Sequence, residues 1–191
     1  MNVNGNAQIG AGIIVGADAT VLRALQAGAR LKTVYTVECL DKRGKLKWRD
    51  VHENIVTNAG LNDLLDKYLK GSAYTAAWYV GLTDGTPTVA AGDTMASHAG
   101  WTEITAFTEG ARPALTLGTV ASQSVDNSAS KATFSINADS QTIGGSFLVT
   151  NSTKGGSTGI LYSVAAYTAG DKSLDNGDTL NVTATLTAAS A

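Results

Sequence analysis

The sequence is short of charge, cysteine, histidine and long apolar runs, and each shortage removes a class of function. Charged residues make up only 16% of the 191 positions, against a usual share of about 25%. A chain that stays unfolded needs the opposite balance, high charge with little apolar content, so this one folds. A single cysteine, Cys39, excludes an internal disulfide framework and a cysteine-rich zinc site; a lone free cysteine reads as a small buried hydrophobe. The two histidines, His52 and His98, stand in no metal-ligand spacing and read as ordinary surface or loop residues. No stretch of about 18 apolar residues offers a membrane span. The start of the chain has no basic segment ahead of its apolar part, which argues for synthesis in the cytoplasm without a secretory signal. A net charge of −2 provides no attraction for a polyanion, so no nucleic-acid partner is expected.

Motifs for chemistry are missing in the same way. The GxSxG string at Gly155–Gly159 lies in a turn-rich break between expected strands, not on a strand-to-helix turn, so no nucleophile elbow is read. Gly10, Gly12 and Gly16 miss the dinucleotide-binding spacing by one residue, and no phosphate-loop lysine follows. Asp171, Asp175, Asn176 and Asp178 do not follow a calcium-loop pattern and have the composition of a tight turn. The expectation is a protein that is not an enzyme and carries no cofactor and no metal.

What is present is 43% hydrophobic residues together with abundant Thr, Val, Gly, Ser and Asn. β-Branched residues suit a pleated, half-buried surface, and Gly and Asn reach the backbone angles of turns. Residues 1–31 read as an N-terminal arm whose Ile9, Ile13, Ile14 and Val15 cannot build a core alone and must pack on something. Residues 32–191 read as a single β domain. Its opening segment is a hairpin: Val34, Tyr35, Val37 and Leu40 lead into the turn Asp41–Gly44, and Leu46, Trp48 and Val51 return with polar residues between them. Leu61, Leu64, Leu65, Tyr68 and Leu69 fall on one stripe of a helix over about 58–70, with Asn58 as its cap and Gly71 as its stop. This stripe is expected to cover one side or end of a sheet. Strands are expected over 74–82, 102–108, 114–120, 131–138, 142–150, 159–167 and 179–187, the last with strict alternation. The stretch 83–100 is a long loop, which in a compact domain is usually functional or disordered. The fold class is mostly β: an antiparallel β-sandwich or jelly roll with one short amphipathic helix and an arm.

One basic cluster stands out, Lys42, Arg43, Lys45 and Lys47 with Arg49, and Trp48 among them. With Ile9, Ile13, Ile14 and Val15 these are the candidate partner-contact residues. Trp78, Tyr79, Trp101 and Tyr74 are aromatics that a glycan- or host-binding groove would use, unless they fill the core.

Four segments carry a family likeness: ENIVTNAGLNDLLDKYLKGSAYTAAWYVGL (53–82), NSASKATFSIN (127–137), IGGSFLVTNSTKGGSTGILYSVAAY (143–167) and SLDNGDTLNVTATLTAA (173–189). In these the chain resembles small virion proteins of tailed bacteriophages. The resemblance implies a head-decoration (cement) protein on the outside of the particle. It would bind the major capsid protein, assemble with itself, preferably as a trimer, and need no active site. A tail, neck or fibre component, or a glycan-binding β module, is the alternative.

Overall fold

The computed structural model describes residues 29–74 and 77–190; Ile9, Ile13, Ile14 and Val15 lie outside them. Leu31–Ala188 make up one compact unit. Among the described residues, ten strands form two five-stranded sheets. The first contains β1 (Ala29–Leu40), β2 (Leu46–Glu53), β5 (Ser124–Asp126), β6 (Ala132–Ser135) and β10 (Thr179–Ser190), in the order β2-β1-β10-β5, with β6 also paired to β10. The second contains β3 (Ile55–Val56), β4 (Tyr79–Asp84), β7 (Gln141–Val149), β8 (Leu161–Ala166) and β9 (Lys172–Leu174), in the order β3-β8-β7-β4, with β9 paired to β7. The ladders within both sheets are antiparallel. This is the mostly-β sandwich expected from composition and turn spacing. Among the described residues no helix is long and apolar enough to cross a membrane.

Period-two patterning places the main core between the sheets. Tyr35, Val37 and Cys39 of β1 point inward, as do Leu180, Val182 and Ala184 of β10, to meet Val80, Leu82, Ile143 and Leu148 of the second sheet. Burial pushes the Cys39 thiol up to about 12, which keeps it protonated and unreactive. At the hairpin turn, Asp41 Oδ1 accepts from the backbone N–H of Arg43 and of Lys45.

The returning strand departs from expectation. Leu46, Trp48 and Val51 cannot share one face, because 46 and 48 have even parity and 51 odd. The structure turns Trp48, Asp50 and His52 inward and leaves Val51 exposed. Asp50 is tolerated there because its carboxylate accepts from the N–H of Thr168 (3.2 Å) and Ala169 (3.1 Å) and pairs with His52 Nδ1 (3.0 Å).

β7 reads as a continuous apolar run because it is covered on both faces. Its outer face carries a second core, in which Phe147 and Val149 meet Leu161, Val164, Met95 and Trp101. Met95 and Trp101 belong to the long connection after β4. That loop is therefore a packed layer that completes the fold. Gly81 faces Phe147 across the β4–β7 ladder, and a Cβ on it would lie 2.0 Å from the Phe147 ring, so the ring requires a glycine beneath it.

Segments 102–108 and 114–120 do not form strands. They run along the outer edge of β4 as isolated bridges, with Asp84 N–H donating to Thr102 O, Ile104 N–H to Leu82 O and Leu115 N–H to Trp78 O. These bonds protect an edge that would otherwise invite another strand.

Candidate interaction surface

The helix begins where β3 hands the chain from the sheet to the surface. α1 spans Asn58–Leu64 and continues as a π-helical turn, Leu65–Leu69. Its cap is Thr57, not Asn58. The Thr57 hydroxyl donates to Leu161 O and accepts from Gly60 N–H (3.1 Å), and the Thr57 N–H donates to Tyr162 O (2.9 Å). Asn58 is exposed and has no such position. Gly60 is the helix residue that meets the body: a Cβ there would sit 2.6 Å from Tyr162 O. The helix is therefore seated by its small residues against β8.

That seating turns the apolar stripe away from the protein, contrary to the expectation that it would cover a sheet. Leu61 is 41% exposed, Leu64 39%, Leu65 53%, Tyr68 80% and Leu69 71%. Asp63, Asp66 and Lys67, by contrast, are partly shielded. Lys70 and Ser72 bond to Asp66 and hold its carboxyl below the ordinary carboxylate range. Leu64 and Tyr68 border the groove beneath the helix, while Leu61, Leu65 and Leu69 stand in solvent and leave an apolar face uncovered.

Below the helix runs a groove of about 220 Å³ lined by Asp63, Leu64, Lys67, Tyr68, Tyr74, Trp78 and Tyr162. It continues over Leu115, Leu117, Leu148 and Leu186, between the ends of the two sheets. Trp78 packs edge-on to Tyr162 at 5.3 Å and donates its indole N–H to Tyr74 OH at 2.7 Å. Tyr162 is partly shielded, which raises its hydroxyl pKa. The lining is apolar and aromatic with two charges at the rim. It can take up apolar or flat groups, and it presents no nucleophile–base pair. Of the four aromatics considered for a ligand groove, Tyr74 and Trp78 are here, while Trp101 and Tyr79 belong to the outer core.

The basic hairpin is divided by its partners. Lys42, Arg43 and Lys45 are exposed and make no ion pair among the described residues. Lys47 reaches across to the Asp175–Asp178 turn, 2.5 Å from Asp178 Oδ2 and 3.2 Å from Asp175 Oδ2, and the Asp178 bond raises its pKa. The cation between those carboxylates is thus the chain's own ammonium group. Trp48 leans into the core 6.0 Å from Tyr167. Of these five residues, Lys42, Arg43 and Lys45 form a free basic tip.

His52 differs from its sequence reading, while His98 lies in the long loop as expected. His52 is buried, stacked on Tyr35 at 5.3 Å and 4.7 Å from the Tyr167 ring. Burial lowers its pKa, with Asp50 pulling the other way. His98 stacks on Trp101 at 3.7 Å. Among the described residues, no group of three or more His, Cys, Asp or Glu is placed to hold a metal ion.

The outward stripe was the main feature missed from sequence. The signal was present in Gly60, a helix residue with no side chain, which permits close backbone approach to Tyr162.

Comparison with known proteins gives the class: a structural protein of a phage virion. The family model described as podophage GP4 fiber I protein gp80 matches residues 56–189, well over half of the chain, and the chain belongs to that family. No curated protein and no solved structure matches it.

Proposed function

We propose that this chain is a component of a phage fibre and works by binding, not by catalysis. The observation that carries this is the fibre family match over residues 56–189. The fibre reading, second to head decoration on sequence likeness, is the better supported of the two. The architecture agrees with a building block: an antiparallel sandwich whose strand edge along β4 is blocked, with an apolar helix face and groove left open. Of the two histidines, the groups best suited to acid–base chemistry near neutral pH, His52 is buried against Tyr35 and His98 stacks on Trp101.

The test is location and copy number. Quantitative mass spectrometry of purified particles, against the major capsid protein, is expected to give on the order of ten to a few tens of copies, as a fibre set with the symmetry of a tail requires. Gold-labelled antibody is expected at the tail or neck. Hundreds of copies spread over the head would overturn the fibre reading in favour of a capsid cement protein. Absence from the particle would remove both.

A further inference from the structure

The groove beneath α1 has the composition of a site for a cation that carries no N–H. Four of the seven described residues that line it are aromatic: Tyr68, Tyr74, Trp78 and Tyr162. The Trp78 and Tyr162 planes stand 69° apart with their centroids at 5.3 Å, so the two rings form adjoining walls. Tyr74 makes a third, held by the 2.7 Å bond that its hydroxyl accepts from the Trp78 indole. Aromatic faces attract cations through their quadrupole. Asp63 borders the same groove, is partly shielded, and makes no ion pair among the described residues. The walls narrow the ligand further. A primary ammonium would leave N–H donors unmet against ring faces, whereas a quaternary ammonium has none to satisfy. A neutral apolar group would shield Asp63 from water and give it no counter-charge. A dry cavity of about 150 Å³ takes up benzene, so a groove of about 220 Å³ holds a small head group and not an oligosaccharide. Lys67 lines the groove as well, 3.4 Å from Asp66 Oδ2. It would oppose a bare cation, but it suits a ligand whose cation has an anion next to it.

We propose that this groove binds a quaternary ammonium joined by a short linker to a phosphate, as in phosphocholine. The trimethylammonium group packs on Tyr74, Trp78 and Tyr162 with Asp63 as its counter-charge, and the phosphate faces Lys67. Leu64 and Tyr68 line the helix side, where they limit access of water, and a cation on aromatic rings is held most strongly when desolvated.

Titration of the full chain with phosphocholine, read by calorimetry and by saturation transfer to the ligand methyl protons, is the test. A dissociation constant on the order of 1 mM or below is expected. Choline is expected to bind about tenfold more weakly for want of the Lys67 contact, and phosphoethanolamine at least as weakly as choline. Tyr74→Leu and Asp63→Asn are each expected to weaken phosphocholine binding by about tenfold or more. Tyr74 is 51% exposed and Asp63 has no ion pair to lose, so the circular dichroism of both variants is expected to match wild type. Tyr74→Phe keeps the ring and is expected to keep most of the affinity. Lys67→Met is expected to bring phosphocholine down to the level of choline. Leu69→Ala, 71% exposed and outside the lining, is the control and is expected to change nothing. Cosedimentation with phosphatidylcholine vesicles but not phosphatidylglycerol vesicles would support the site with a bilayer as its source, and binding of free phosphocholine alone would support it with a source other than a bilayer. No saturation by phosphocholine up to about 20 mM, equal binding of phosphoethanolamine, or affinity that survives both Tyr74→Leu and Asp63→Asn would overturn the proposal. Saturation by methyl glycosides and not by phosphocholine would overturn it too, and make the groove a sugar site. Copy number in the particle is not read by this titration, so its failure and that of the fibre reading are distinguishable.

Discussion

Arg112 is buried, yet each of its three guanidinium nitrogens has a partner. Nε and Nη2 donate to the two carboxylate oxygens of Glu103 at 2.8 and 2.7 Å, Nη1 to Asn151 O at 2.8 Å and Nη2 to Gly156 O at 2.8 Å. The guanidinium lies over the Phe147 ring. Glu103 Oε2 also accepts from Gly155 N–H at 2.9 Å. One ion pair thus ties the segment along the β4 edge to the loop between β7 and β8. Such a pair adds little over a well-packed apolar substitute, but removing one partner leaves an uncompensated buried charge. Arg112→Met is therefore expected to lower stability by about 3–5 kcal/mol, read as a shift in the urea midpoint. Arg112→Met combined with Glu103→Leu is expected to recover a good part of that loss. Nothing around Arg112 in sequence marks it as a core residue, because its partners come from positions 103, 151 and 156.

At the scale of the element, α1 shows how far periodicity reaches. The spacing of Leu61, Leu64, Leu65, Tyr68 and Leu69 located a helix correctly, and Gly71 ends it. Which face would be buried was not in the spacing, because a leucine stripe faces whatever covers it, in the same chain or another. Close packing of Gly60 on Tyr162 decided the matter. Gly60→Ala would press a methyl into the Tyr162 backbone, and overpacking of that kind costs about 1–3 kcal/mol. The expected result is a lower denaturation midpoint, with the amide protons of α1 exchanging faster while those of β7 and β8 stay protected. The β10 alternation was equally legible, since it repeats with the strand period, while β7, buried on both faces, was located as a strand with no face to distinguish. Segments 102–108 and 114–120 were not. Their Thr- and Leu-rich composition suits a strand, but β4 offers its edge only at isolated points.

At the scale of the whole molecule, the two sheets meet at a polar seam as well as an apolar core. Asp50 and His52 of β2 lie against Tyr167, Thr168 and Ala169, which follow β8, and Tyr35 OH bonds to Ser163 Oγ of β8 at 3.0 Å. With Asp50 as a carboxylate, His52 donates from Nδ1 and its ring stays neutral. Burial holds the His52 pKa below the ordinary 6.5, so the unfolded chain binds the proton more readily than the folded one. Stability from this group is full above about pH 6.5 and declines as pH falls through the window between the unfolded and the folded pKa. Urea midpoints at about pH 7.5 and 5.5 are expected to show that decline in wild type. His52→Phe, which keeps a ring between Tyr35 and Tyr167 and leaves Asp50 its two backbone donors, is expected to flatten it. An unchanged decline would assign the effect to another group.

Composition and period by themselves determined that this chain folds, that it does so mainly as antiparallel strands, and that one helix interrupts them, because those outcomes depend on local propensity and on spacing along the chain. Only the tertiary structure decided which way each amphipathic surface turned. The inward turn of Asp50 and His52 depends on donors more than a hundred residues away, the packing of the long loop depends on the outer face of β7, and the outward turn of the α1 leucines depends on the fit of Gly60 to Tyr162. Burial is a property of what lies opposite, and a linear pattern names a face without naming its neighbour.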